Sequence, residues 1–139
     1  MAALRQRGSK GYSAPKRRTA VYTTGTLAAN ASEQGTVELA VSYKLLRIKT
    51  SGDARVRLYD SRSSQVGDAP RAIGVDPGDG EGVIFEYVAT TGLYSVTLSP
   101  LVSGTSTDTP TSKRIPITVT NTGAGSAAIT VTLTWIEEE

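Results

Sequence analysis

The sequence predicts an all-β fold: an antiparallel sandwich of about eight strands in two sheets, jelly-roll or Ig-like, with an extended N-terminal arm. Three observations predict it. From Val21 onward, apolar residues recur with period two rather than 3.6. Turn residues, among 14 Gly and 6 Pro, interrupt the alternating runs at the spacing typical of sandwiches. Thr, Val, Gly and Ser dominate throughout, and only a short helical turn near Ser63 to Arg71 is expected. The 139 residues suit one domain, and 38% hydrophobic with 6% aromatic residues is thin for a densely cored enzyme.

The arm comprises residues 1–20 and the sandwich residues 21–139. Six bases, Arg5, Arg7, Lys10, Lys16, Arg17 and Arg18, precede Ala20 with no acid among them, leaving nine bases against thirteen acids in the body. The basic pI therefore belongs to the arm. With Gly8, Gly11, Pro15 and no apolar period, the arm buries too little to offset its ordering entropy. It is expected to order by docking on an acidic protein or a nucleic-acid backbone, the plain alternative being a solvated tail.

Strands follow in order. Val21 to Leu27 opens the body, and Val37, Leu39 and Val41 alternate with Glu38 and Ala40. Leu46 and Ile48 alternate with Arg47 and Lys49 before the turn Ser51-Gly52-Asp53. Val56 and Leu58 face one way, and Arg55, Arg57 and Tyr59 the other. Val83, Phe85 and Tyr87 alternate with Ile84, Glu86 and Val88, a strand covered on both faces. Tyr94, Val96 and Leu98 follow the turn at Gly92. Ile115, Ile117 and Val119 form a strand that Pro116 restricts to a strand start or a sheet edge. Ile129, Val131, Leu133 and Trp135 alternate with threonines, the signature of a half-buried strand. Between these last two, Asn121 to Ser126 reads as a hairpin loop whose two glycines are free to take positive φ. The expected core is Val37, Leu39, Leu46, Ile48, Val56, Leu58, Phe85, Val96, Ile117, Val119, Ile129, Val131, Leu133 and Trp135. Two long connections, Asp60 to Gly82 and Pro100 to Lys113, are expected to form a contact surface at one end.

The chain has no His and no Cys. That excludes Cys/His zinc sites, iron–sulfur clusters, His-ligated haem, Cys nucleophiles, Ser-His-Asp triads and disulfides. No cofactor, metal or catalytic residue is assigned. No apolar run reaches the roughly 20 residues of a membrane helix, and residues 1–20 lack the apolar core of a secretory signal. Asp76, Asp79 and Glu81, with Asp60 and Asp68 nearby, are the one candidate calcium cluster, but Asp-Pro-Gly-Asp-Gly is also an ordinary turn, and the turn reading is preferred. Paired carboxylates could hydrolyse glycosides, but one Trp and one Phe give too few sugar platforms, and Trp135 is expected in the core. Arg55, Arg57 and Tyr59, with Arg47 and Lys49 on a neighbouring strand, could bind nucleic acid. Cross-strand pairing of the two arginines with Glu38 or Glu86 on a solvated face is preferred, because the body is acidic.

The segments Tyr22–Leu27, Ser42–Ile48, Ala54–Tyr59, Ile115–Asn121 and Val131–Trp135 together resemble small β-sandwich structural proteins of tailed bacteriophages. The resemblance spans Val21 to Ile136 and leaves out the arm. It implies a non-enzymatic virion component, of the tail, baseplate or fibre attachment or a capsid decoration (cement) protein, assembled in the host bacterial cytoplasm. The partners implied are other virion proteins and further copies of the chain, with no membrane and no nucleic acid. The alternatives are a carbohydrate- or receptor-binding module and, second, a nucleic-acid-binding protein. The arm's six bases are the expected docking residues.

Overall fold

The computed structural model describes residues 16–138, so Arg5, Arg7 and Lys10 of the arm lie outside the described residues. Eight strands and one short helix follow in order: β1 (Arg18–Leu27), β2 (Ser32–Glu38), β3 (Ser42–Thr50), β4 (Ala54–Tyr59), α1 (Arg62–Asp68), β5 (Val83–Ala89), β6 (Ser95–Thr105), β7 (Arg114–Asn121) and β8 (Ala127–Glu137). They form two four-stranded sheets, ordered β1-β8-β3-β6 and β2-β7-β4-β5. Every pairing is antiparallel. Along the chain, successive strands change sheet at each step except from β4 to β5. Two sheets of four strands linked in this way are the jelly-roll version of a sandwich.

The two inner faces supply the core. Leu45, Ile48, Val131 and Leu133 come from the first sheet, and Val56, Leu58, Ile115, Ile117 and Val119 from the second. Trp135 is buried there too, as its alternation with Thr134 predicts. Phe85 and Val96 are only half-buried, because β5 and β6 are edge strands and their side chains cover the core margin.

Several expectations are corrected. β7 and β8 lie in different sheets, so residues 122–126 carry the chain across the sandwich and close no hairpin. Neither Gly123 nor Gly125 takes positive φ. The Asn121 side chain holds this loop instead: its Nδ2 donates to the Leu27 and Gly125 carbonyls, and its Oδ1 accepts from the Gly123 N–H. Leu46 is not a core residue. A bulge between Leu45 and Arg47 leaves it without a ladder partner and half-buried, and Leu45 takes the inward position. The strand expected over Val37 to Val41 runs instead over Ser32–Glu38, and Leu39 and Ala40 fill the core from the connection that follows. Pro100 to Thr105 belongs to β6 rather than to a loop. Pro116 sits in an inner strand, but the β4 ladder ends at Ile117, so only β2 flanks it. β1 begins at Arg18, three residues before Val21.

Candidate functional site

The most elaborate polar construction lies on the outer face of the second sheet. Alternation along β4 turns Val56 and Leu58 into the core and puts Arg55, Arg57 and Tyr59 on the opposite face. That face is not solvated. Ser61 caps α1 by accepting the Ser64 N–H at 3.1 Å. The short helix and the chain after it then lie over β4. Gln65 fastens the helix by donating to the carbonyl of Ile117 at 2.9 Å. Asp68 and Arg71 come down beside the arginines, and all six residues of strand β4 are buried.

The carboxylate of Asp68, itself 2% exposed, accepts from Tyr59 Oη at 2.6 Å, from Arg71 Nε at 2.6 Å and from Arg57 Nη1 at 3.3 Å. Glu86 of β5 accepts from Arg55 Nε and Arg71 Nη2, each at 2.6 Å. Arg55 and Arg57 also donate to the carbonyls of Arg71 and Asp68. The pairing of Arg55 with Glu86 is as the sequence predicts. Its burial is not, and Glu38 stands opposite Arg114 instead. Arg47 and Lys49 are on β3, in the other sheet, where with Ser95, Thr132 and Thr134 they line an open hollow. The proposed nucleic-acid face therefore does not form.

Three guanidiniums meet two carboxylates, so the cluster keeps one excess positive charge, and Arg57 Nε and Arg55 Nη2 have no hydrogen-bond partner. Burial works to raise the pKa of Asp68, but hydrogen bonds from Arg71 and Tyr59 and the charges of Arg71 and Arg57 outweigh it and hold the carboxyl below the usual range. Glu86 is lowered in the same way: burial opposes, and its bonds to Arg71 and Arg55 prevail. Burial, then the bond to Asp68, pushes the Tyr59 hydroxyl up. Every carboxylate oxygen of Asp68 and Glu86 is engaged by a cation or a hydroxyl, so neither acid is free to act as a base. The cluster fastens residues 61–75 to the sheet.

A pH dependence follows. Both carboxyls have folded-state pKa values below their unfolded values near 4. As pH falls through that range, the unfolded chain takes up protons that the folded one refuses, so stability falls with pH. The contribution is complete above about pH 5 and is lost below it as the two groups protonate. The urea midpoint is expected to drop between about pH 6 and about pH 3, and to drop less in Asp68→Asn. An unchanged midpoint over that interval would refute the coupling.

The remaining predicted residues are dispersed. Lys16 and Arg17 are exposed just before β1. Arg18 opens β1 opposite Trp135, with its guanidinium 5.7 Å from the indole ring centre. The two long connections do meet at one end: Thr107 N–H donates to the Asp60 carbonyl, and Arg62 N–H to the Asp108 carboxylate. Gly80 takes a left-handed φ of 84°, as the turn reading of Asp76 to Glu81 requires. Among the described residues no three acidic side chains converge on a cation-sized space. No protein-family model, no curated protein and no solved structure matches the chain.

Proposed function

We propose that the protein is a non-enzymatic structural component of a tailed-bacteriophage virion, docked on tail, baseplate or capsid through its basic N-terminal stretch. The observation that carries this reading is the strand order, β1-β8-β3-β6 over β2-β7-β4-β5. Viral capsid domains, lectins and cupins share that double-sheet arrangement. Fold alone does not assign function, so the residues must choose among these. Transition-metal sites built on imidazole are closed to this chain, which has no histidine. Sugar binding uses exposed aromatic platforms, whereas among the described residues the exposed large apolar ones, such as Val21, Ile73, Leu93 and Leu101, are all aliphatic. The most elaborate polar cluster is occupied in holding the fold together. What is left is a rigid module with a cationic stretch leading into an edge strand, an arrangement suited to lacing onto a neighbour.

Particles purified on a density gradient are expected to contain the chain by mass spectrometry, and its absence from them would overturn the reading. Deleting residues 1–17, which spares Arg18 and its contact with Trp135, is expected to leave the melting temperature unchanged and to abolish incorporation. Incorporation of the truncated protein at the full level would move docking to the end where residues 60–82 and 106–113 meet. Reversing the charge of Lys16 and Arg17 is expected to weaken incorporation more at low salt, where screening is least.

A further inference from the structure

Charge is segregated between the two sides of the sandwich. Strands β1, β3 and β6 contain no acidic residue, and β8 has only Glu137, at its last position. On the outer face of this sheet, Arg47 and Lys49 stand in register with Thr134 and Thr132 of β8 and with Thr97 and Ser95 of β6. The hollow that Arg47 and Lys49 line with Ser95, Thr132 and Thr134 measures about 270 Å³. Lys44, on the same strand, is neutralised by Glu138 at 3.4 Å. Arg47 engages only its Nε, which donates to Ser95 Oγ at 3.2 Å. Among the described residues, neither Arg47 nor Lys49 meets a carboxylate.

The other sheet carries the counterpart. The segment that follows α1 over that sheet runs on through residues 72–81, which hold Asp76, Asp79 and Glu81 and no base. Every residue from Ala72 to Gly80 is exposed. Among the described residues, no cation pairs with Asp76 or Asp79. The left-handed Gly80 and the Glu81 N–H, which donates to the Gly78 carbonyl at 3.1 Å, fold this acidic stretch into a tight turn. Apolar residues are placed to match. Ile73 and Val75 precede Asp76, Val21 stands beside Thr132 on the basic face, and all three are more than half exposed.

We propose that the acidic turn of one copy seats in the Arg47–Lys49 hollow of a second copy, with Ile73 and Val75 against Val21. Charge complementarity selects this occupant: two unpaired cations line the hollow, and two unpaired carboxylates stand on the turn. The hollow faces outward from the first sheet and the turn continues the cover of the second, so a chain cannot fill its own hollow. Exposed ion pairs hold weakly, so the aliphatic contact supplies affinity while the charges set partner and orientation. The contact is heterologous. A joined pair keeps one free hollow and one free turn, and further copies extend it into a ring or an open column.

The inference goes beyond the virion reading and is tested apart from it, on the purified full chain at low salt. Light scattering during size exclusion is expected to show a mass that rises past two copies with concentration and falls when salt screens the contact. Two double variants each remove one surface: Arg47→Ser with Lys49→Thr, and Asp76→Asn with Asp79→Asn. All four residues are exposed, so each variant should melt at the wild-type temperature and stay monomeric. Mixed, the two should form a dimer and nothing larger, because the first keeps its turn and the second its hollow. Deleting residues 1–17 should leave association intact. A wild-type monomer at every concentration, association that survives either variant, or a mixture that stays monomeric or grows past a dimer would each overturn the proposal. So would loss of association on the deletion, which would assign the acidic turn to the basic N-terminal stretch instead.

Discussion

Replacing Asp68 by alanine is expected to destabilise the fold by about 3–5 kcal/mol, the usual cost of removing one partner from a buried ion pair. The argument rests on what would be left behind. Arg57, 1% exposed, would lose its carboxylate while its Nε already has no partner. Tyr59, fully buried, would lose the acceptor of its hydroxyl, and Arg71 would lose two of its bonds. The excess positive charge of the cluster would double. Exposed ion pairs contribute about 0–1 kcal/mol, so the predicted size separates a buried cluster from a surface one. Urea unfolding measures it, and a loss below about 0.5 kcal/mol would mean that residues 61–75 do not cover Arg57.

Leu133→Ala is expected to cost about 2–5 kcal/mol through lost burial and the cavity that remains. β8 runs between β1 and β3, with Leu133 opposite Ala20 on one side and Ile48 on the other, and Leu133 is 1% exposed. Neighbours held by ladders on both sides have little freedom to collapse into the space. Thr134→Ala, on the opposite face of the same strand, is expected to stay within about 0.5 kcal/mol. Equal losses at the two positions would show that the face assignment is wrong.

The strands with one apolar and one polar face were legible because burial leaves its period in the residues themselves, as at Ile129, Val131, Leu133 and Trp135. Period two reports which face a residue takes, not which strand lies beside it. That is why the segment from Asn121 to Ser126 read as a hairpin: a few residues reach across the roughly 10 Å between sheets as easily as they turn within one. Leu45 and Leu46 offered both phases of the alternation, and only a bulge, which leaves no mark in composition, chose between them. Arg55 and Arg57 read as solvated because arginine is rarely buried without partners. The partners were present: Glu86 on the neighbouring strand, opposite Arg57 in register and bound diagonally by Arg55, and Asp68 from a helix whose approximate place was legible. What could not be read was that the helix would fold back over β4. The docking residues of the arm had no local pattern to read beyond their charge.

Helix α1 turns Ser64, Gln65 and Asp68 inward and leaves Val66 half exposed to solvent. Its attachment is thus made of hydrogen bonds and charge. Lifting residues 61–75 away would uncover arginine stems, one tyrosine ring and many polar atoms, but little aliphatic surface. The heat capacity of unfolding grows with newly wetted apolar area, and polar area subtracts from it. Opening of this flap therefore carries a small, even negative, heat-capacity change, whereas disassembly of the two sheets carries a large positive one. The molecule has two forms of cohesion with different thermometers: the free energy that holds the sheets together curves with temperature and weakens on deep cooling, whereas that of the flap changes along a nearly straight line.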